Sequence, residues 1–147
     1  VSIEMIEAVG EAYWPSYFQQ LQRLVKSGGH VAIQAITIDE QYFDHYLKST
    51  DFIQQYIFPG GMLASPTRLR LEVQNVGLAW QNVMSFGLDY AETLRLWREK
   101  FDQVLPQVRA LGFDEGFIRL WRFYYVYCEA GFLSHRTSVY QVLLQKP

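Results

Sequence analysis

Apolar and polar positions along the chain follow two rhythms. Val1, Ile3, Met5 and Ile6 form an apolar opening run, with Glu4 inside it and Glu7 at its end. That run predicts a short buried strand over 1–6 and a turn through Glu7 to Gly10. No polar lead-in separates the two acids from the run, so neither reads as surface decoration. Trp14, Tyr17, Phe18, Leu21, Leu24 and Val25 then recur at helical spacing, which predicts an amphipathic helix over 12–26. Pro15 suits its first turn, where the missing N–H costs nothing, and Ser27-Gly28-Gly29 ends it. HVAIQAITI, residues 30–38, is apolar on both faces, the mark of a central strand covered on both sides. Strand, helix and strand make a βαβ unit that closes onto a parallel sheet.

Helical spacing returns over 39–57, and Pro59-Gly60-Gly61 breaks it. Ser65 suits an N-cap and Pro66 the first position of a helix over 65–76, which Gly77 closes. LAWQNVMSFG predicts a strand at 78–86. Asp89 can cap a long helix carrying Leu94, Trp97, Phe101 and Leu105. A further helix near 114–131 carries Phe117, Leu120, Trp121, Tyr124, Tyr125 and Cys128, and TSVYQVLLQ at 137–145 is the last strand. The order β-α-β-(α-α)-β-α-α-β predicts a single partial α/β domain over 1–147 with a helical insertion at about 39–77. Four strands are few for a doubly wound sheet, and no glycine-rich turn leads from a strand into a helix. The sheet reads as half of one.

Composition narrows the function classes. Half of the 147 residues are hydrophobic and 16% are aromatic, enough for a packed core. The net charge of -2 gives no overall attraction for nucleic acid or anionic lipid. One cysteine, Cys128, makes a disulfide framework impossible. No apolar run is long enough to cross a bilayer, and the start lacks the pattern of a signal peptide. His30, His45 and His135 share no metal-binding spacing, so no metal is expected.

SIEMIEAVG, HVAIQAITI, STDFIQQYIFPGGMLASP, SFGLDYAETLRLW and WRFYYVYCEAGF together resemble the cyclopropane-fatty-acyl-phospholipid synthase family. These are class I, Rossmann-like methyltransferases that depend on S-adenosylmethionine. The resemblance runs in order along essentially the whole chain and places Val1 at the fourth strand of a seven-stranded sheet. It implies the second half of such a sheet. The glycine-rich cofactor loop, the acid for the cofactor ribose and the family's active-site cysteine are then expected outside these residues; Cys128, on a late helix, is not that cysteine. The chain alone is expected to be inactive, and with one sheet edge and apolar faces uncovered it is expected to self-associate.

The implied reaction moves a methyl from a sulfonium to the cis double bond of a phospholipid acyl chain. A carbocation forms, and loss of a proton closes a ring. The site must be dry and aligned, with aromatic faces and negative charge near the cation. The resemblance implies a bound bicarbonate ion as the base. Residue by residue it gives Glu7 as the glutamate holding that anion, Ile36 as the backbone N–H meeting it, and Tyr90 as the tyrosine completing its site. Gln34 stands where the family has a histidine. An amide can hold an anion but cannot move a proton, so this departure leaves open a methyl-branched product instead of a ring. Glu4 is a candidate for the cofactor side. Phe58, Pro59, Gly60 and Gly61 are expected to border the lipid path, and Tyr124, Tyr125 and Phe132 to line the acyl pocket or the core. Peripheral contact with the cytoplasmic face of a membrane is implied by the resemblance alone. Two other readings stay open: a methyltransferase for a small-molecule acceptor, and a non-catalytic module that binds lipid or a partner.

Overall fold

Four strands form one sheet in the computed structural model, which describes all of residues 1–147. They are β1 (Ser2–Ile3), β2 (His30–Ile38), β3 (Ala79–Ser85) and β4 (Thr137–Gln145), in the order β1-β2-β4-β3. β1 runs parallel to β2, as the βαβ pattern requires. β4 is antiparallel to both neighbours and pairs with β2 over its full length, from His30↔Gln145 to Ile38↔Thr137.

The helices are α1 (Trp14–Leu24), α2 (Glu40–Tyr46), α3 (Phe52–Tyr56), α4 (Pro66–Asn75), α5 (Gly87–Gln103), α6 (Leu105–Ala110) and α7 (Glu115–Leu133). On one sheet face α1 and α4 bury Trp14, Phe18, Leu69 and Val73 against Ile33, Ala35, Val142 and Leu144. On the other, α5 and α7 enclose Ala91, Leu94, Phe132 and Val139. Gly87 admits close contact where α5 starts, because a Cβ there would lie 2.9 Å from the Ser138 hydroxyl.

Several boundaries differ from expectation. The opening strand is two residues long, not six. Ile3 is 63% exposed, and Val1 and Met5 are exposed with it, because the second face is covered only at its upper end. Its lower end is an open trough of about 420 Å³ lined by Val1, Ile3, Ala32, Gln34, Met84 and Leu143. β2 is therefore covered fully on one side only. The single helix expected over 39–57 is two, because Asp51 closes a capping box with Gln54 and starts α3 afresh. Ser65 caps α4 through the Arg68 N–H, but α4 packs in the main core, so the insertion is shorter than 39–77. α5 begins at Gly87, with Asp89 inside its first turn, not at its cap. Leu105 belongs to α6, a separate helix with Pro106 in its first turn.

An open apolar trough beside a sheet edge favours association. The isolated chain is expected to run above monomer mass in light scattering, and Ile3→Glu with Met84→Glu to return it toward monomer. A monodisperse monomer at high concentration would contradict this.

Candidate active site

β1 and β2 end side by side, and open α/β sheets bind ligands beyond such carboxyl ends. A cavity of about 660 Å³ lies there. Ile36 and Ile38 of β2, Ile53 and Met62 of the insertion, and Tyr124, Cys128 and Phe132 of α7 form much of its wall. Thirteen of its 22 lining residues are hydrophobic, while Glu4 and Glu7 converge at one end, the usual make-up of a small-ligand pocket.

Glu7 sits in a single 3-10 turn, Ile6–Ala8, that follows β1. Its Oε1 accepts the Ile36 N–H at 2.6 Å, and its carbonyl accepts the Met62 N–H at 2.8 Å. Its Oε2 is buried without a partner. Burial pushes the Glu7 carboxyl above the usual carboxylate range, outweighing the backbone N–H groups of Glu7 and Ile36, and the neighbouring Glu4 charge pushes the same way.

Glu4 has φ 49, a left-handed backbone that costs a residue with a Cβ about 1–2 kcal/mol. Its N–H donates to the Gln34 carbonyl at 2.8 Å. Its Oε1 accepts both the Gln34 side-chain amide at 2.8 Å and the Tyr90 hydroxyl. Gln34 is held from behind by Gln141, whose amide donates to it at 2.8 Å. Tyr90, in the first turns of α5, is packed edge-on against Phe86 and Phe132. Burial raises its pKa, and so does its bond to Glu4.

Glu4, Glu7, Gln34, Ile36 and Tyr90 thus form one connected cluster. Gln34 and Tyr90 reach the cavity only through Glu4. The Ile36 N–H, expected to face an anion, instead faces Glu7. Phe58 and Gly61 lie on the wall, and Gln54 pins the loop by donating to the Gly61 carbonyl at 2.9 Å. Gly60 is at the loop tip, with φ 82 and nothing within 4 Å of an added Cβ, so it is not on the wall. Tyr124 is on the wall, but Tyr125 turns toward α5. Its ring lies 5.8 Å from Phe101, and its hydroxyl accepts the Trp121 indole N–H at 3.1 Å. Consecutive helical residues point in different directions, so the two cannot share one pocket.

The same periodicity locates two wall residues not singled out in the sequence, Tyr127 and Gly131. Tyr124, Tyr127, Cys128 and Gly131 follow i, i+3, i+4 and i+7 along α7, and all line the cavity. Tyr46 and Asp51 join them from the insertion. Burial pushes the Cys128 thiol up to about 12, helped by the Asp51 charge. No group of three or more His, Cys, Asp or Glu side chains is placed to hold a metal ion.

The sequence model of the family described as mycolic acid cyclopropane synthetase matches residues 1–142. The chain is 49% identical over 143 residues to the tuberculostearic acid methyltransferase UfaA1 of Mycobacterium tuberculosis, covering 96% of this chain and 33% of that protein. It is 31% identical to the cyclopropane-fatty-acyl-phospholipid synthase of Escherichia coli K12, covering 99% of this chain and 37% of that protein. The chain therefore spans about a third of the length of these curated relatives. Its fold superposes on the mycolic acid cyclopropane synthase CmaA1 complexed with SAH and CTAB with a TM-score of 0.88 and 26% identity. That match covers 98% of this chain and 53% of the other.

Two outcomes follow from the burial of Glu7 and Cys128. A carboxyl whose folded pKa lies above its unfolded value loses stability as pH rises from the ordinary carboxylate range through the folded value. Glu7→Gln should therefore raise the melting temperature at pH 7, with the gain shrinking as pH falls into the ordinary carboxylate range; an unchanged or lowered melting temperature at pH 7 would contradict it. Cys128 should stay unalkylated by iodoacetamide at pH 8 in the folded protein and react once denaturant is added, with mass spectrometry as the readout.

Proposed function

The chain belongs to the mycolic acid cyclopropane synthetase family, and from that premise we propose that it is the acyl-side part of an enzyme that methylates the double bond of a lipid acyl chain with S-adenosylmethionine. One observation carries the reading: a largely apolar cavity beyond the carboxyl ends of β1 and β2, with two carboxylates gathered at one end. An acyl chain needs the apolar length. The cation formed in methyl transfer needs the negative charge and the aromatic faces of Tyr124, Tyr127 and Phe132. Water would trap that cation as an alcohol, so the apolar wall must be closed by the bound acyl chain during the reaction.

S-adenosylmethionine, when bound, supplies the methyl group. The residues present do not build its whole site. The turn after β1 carries Glu4 and Glu7 in place of a glycine-rich cradle, and no other strand leads through one into a helix. In this reading the donor is held mainly by other parts of the whole protein, with the end of β1 facing it. Bicarbonate fits less well. Each donor that the resemblance assigns to it already faces a carboxylate, and two carboxylates beside the position repel an anion.

Phe58 lies on the cavity wall and is 57% exposed. That supports entry of the acyl chain from a lipid surface past the 58–61 loop. No helix is long and apolar enough to cross a membrane, so the contact proposed is peripheral.

The test uses the whole protein with isotopically labelled S-adenosylmethionine and vesicles of unsaturated phospholipid. The expected result is labelled acyl chains carrying one added carbon. Ile53→Trp, which fills the cavity, should lower kcat/KM for lipid by about tenfold or more while donor binding is unchanged. Label on a soluble acceptor and none on lipid would overturn the reading.

A further inference from the structure

We infer that Glu4 is the proton acceptor of the reaction, with its carboxylate in the position that the family resemblance gives to bicarbonate. This rests on the methyl-transfer reading above and goes beyond it to the identity of the base.

Three observations support it. First, the Gln34 amide and the Tyr90 hydroxyl, two of the donors expected to hold a free anion, both donate to one oxygen of Glu4. The third expected donor, the Ile36 N–H, is taken by Glu7. The site already holds its anion, and that anion is a side chain. Second, Glu4 lines the cavity, whereas Gln34 and Tyr90 stand behind it. Among the side chains of this cluster, only Glu4 and Glu7 are carboxylates that line the cavity. Glu7 is held by a backbone donor, the Ile36 N–H, while Glu4 is oriented by two side-chain donors. Third, Glu4 has a left-handed backbone that glycine would adopt without strain. Packing does not ask for a glutamate there.

The step balances without a further reactant. The π electron pair of the alkene forms the bond to the incoming methyl carbon, and the sulfonium keeps the electrons of the bond that breaks. The resulting cation loses one C–H proton to the Glu4 carboxylate. The released C–H pair forms a new C–C bond, which closes a ring, or a C=C bond, which leaves a branch. Glu4 then gives its proton to solvent. The neutral Gln34 fits this scheme. With the base built into the chain, its neighbour needs to orient a carboxylate, not to exchange a proton.

The experiment uses the whole protein, loaded with the sulfonium donor, in buffer stripped of carbon dioxide and in the same buffer with added bicarbonate. The wild type is expected to turn over at the same rate in both. Glu4→Gly exchanges the relieved backbone strain for two lost side-chain hydrogen bonds; it is expected to remain folded and to lose about 100-fold or more in kcat in stripped buffer. Added bicarbonate should restore much of that loss by occupying the freed Gln34 and Tyr90 donors. Carbon-13 NMR of labelled bicarbonate gives a readout without turnover, with line broadening expected by the Glu4→Gly protein and not by the wild type. A wild type that stalls in stripped buffer, or that broadens the bicarbonate line, overturns the assignment. A wild type that methylates no lipid overturns the function itself, and the NMR line then still decides whether Glu4 fills the anion position.

Discussion

The bond from the Ile36 N–H to the Glu7 carboxylate is the tie on which the site depends. It joins the turn after β1 to the end of β2. The Glu7 carbonyl meanwhile holds Met62, where the insertion returns to the sheet. One residue thus gathers three segments far apart in sequence. Without this tie the 3-10 turn and the Met62 segment would lose their anchor to the end of β2. The carboxylate is costly in that place, since one oxygen has no partner and burial disfavours its charge. Such local cost is typical of residues kept for what they do.

The fold was legible wherever the pattern was strong and the determinant local. β2 and β4 have their expected limits, because β-branched runs bounded by turn residues leave little choice. The Ser65-Pro66 start of α4 is equally local. The length of β1 and the exposure of Ile3 were not legible. An apolar strand residue looks the same whether a helix covers it or not, and coverage here depends on what packs against the trough. The split between α2 and α3 was legible in principle. Thr50-Asp51 with Gln54 is a helix start signal, but the continuing aromatic periodicity masked it.

The grouping of the candidate residues was legible and their wiring was not. Glu7, Gln34, Ile36 and Tyr90 lie in one hydrogen-bonded cluster with Glu4. Which donor serves which acceptor depends on side-chain geometry that spacing does not carry. Glu4 in particular sits one residue past a two-residue strand, where a small change in backbone turns its side chain from solvent to cavity. On α7 the aromatic run from Tyr124 to Tyr127 looked uniform, yet a rotation of about 100° per residue separates wall from core within it.

The left-handed backbone at Glu4 has a further consequence. Most residues in a domain are guarded twice, because losing them harms folding as well as activity. At this position the two come apart. A chain that lost the carboxylate to glycine would shed strain in exchange for two side-chain hydrogen bonds and give up no core contact, so protein quality control would let it pass. Intact folding therefore says nothing about whether this position still does its work, and only the chemistry of the product can report the loss.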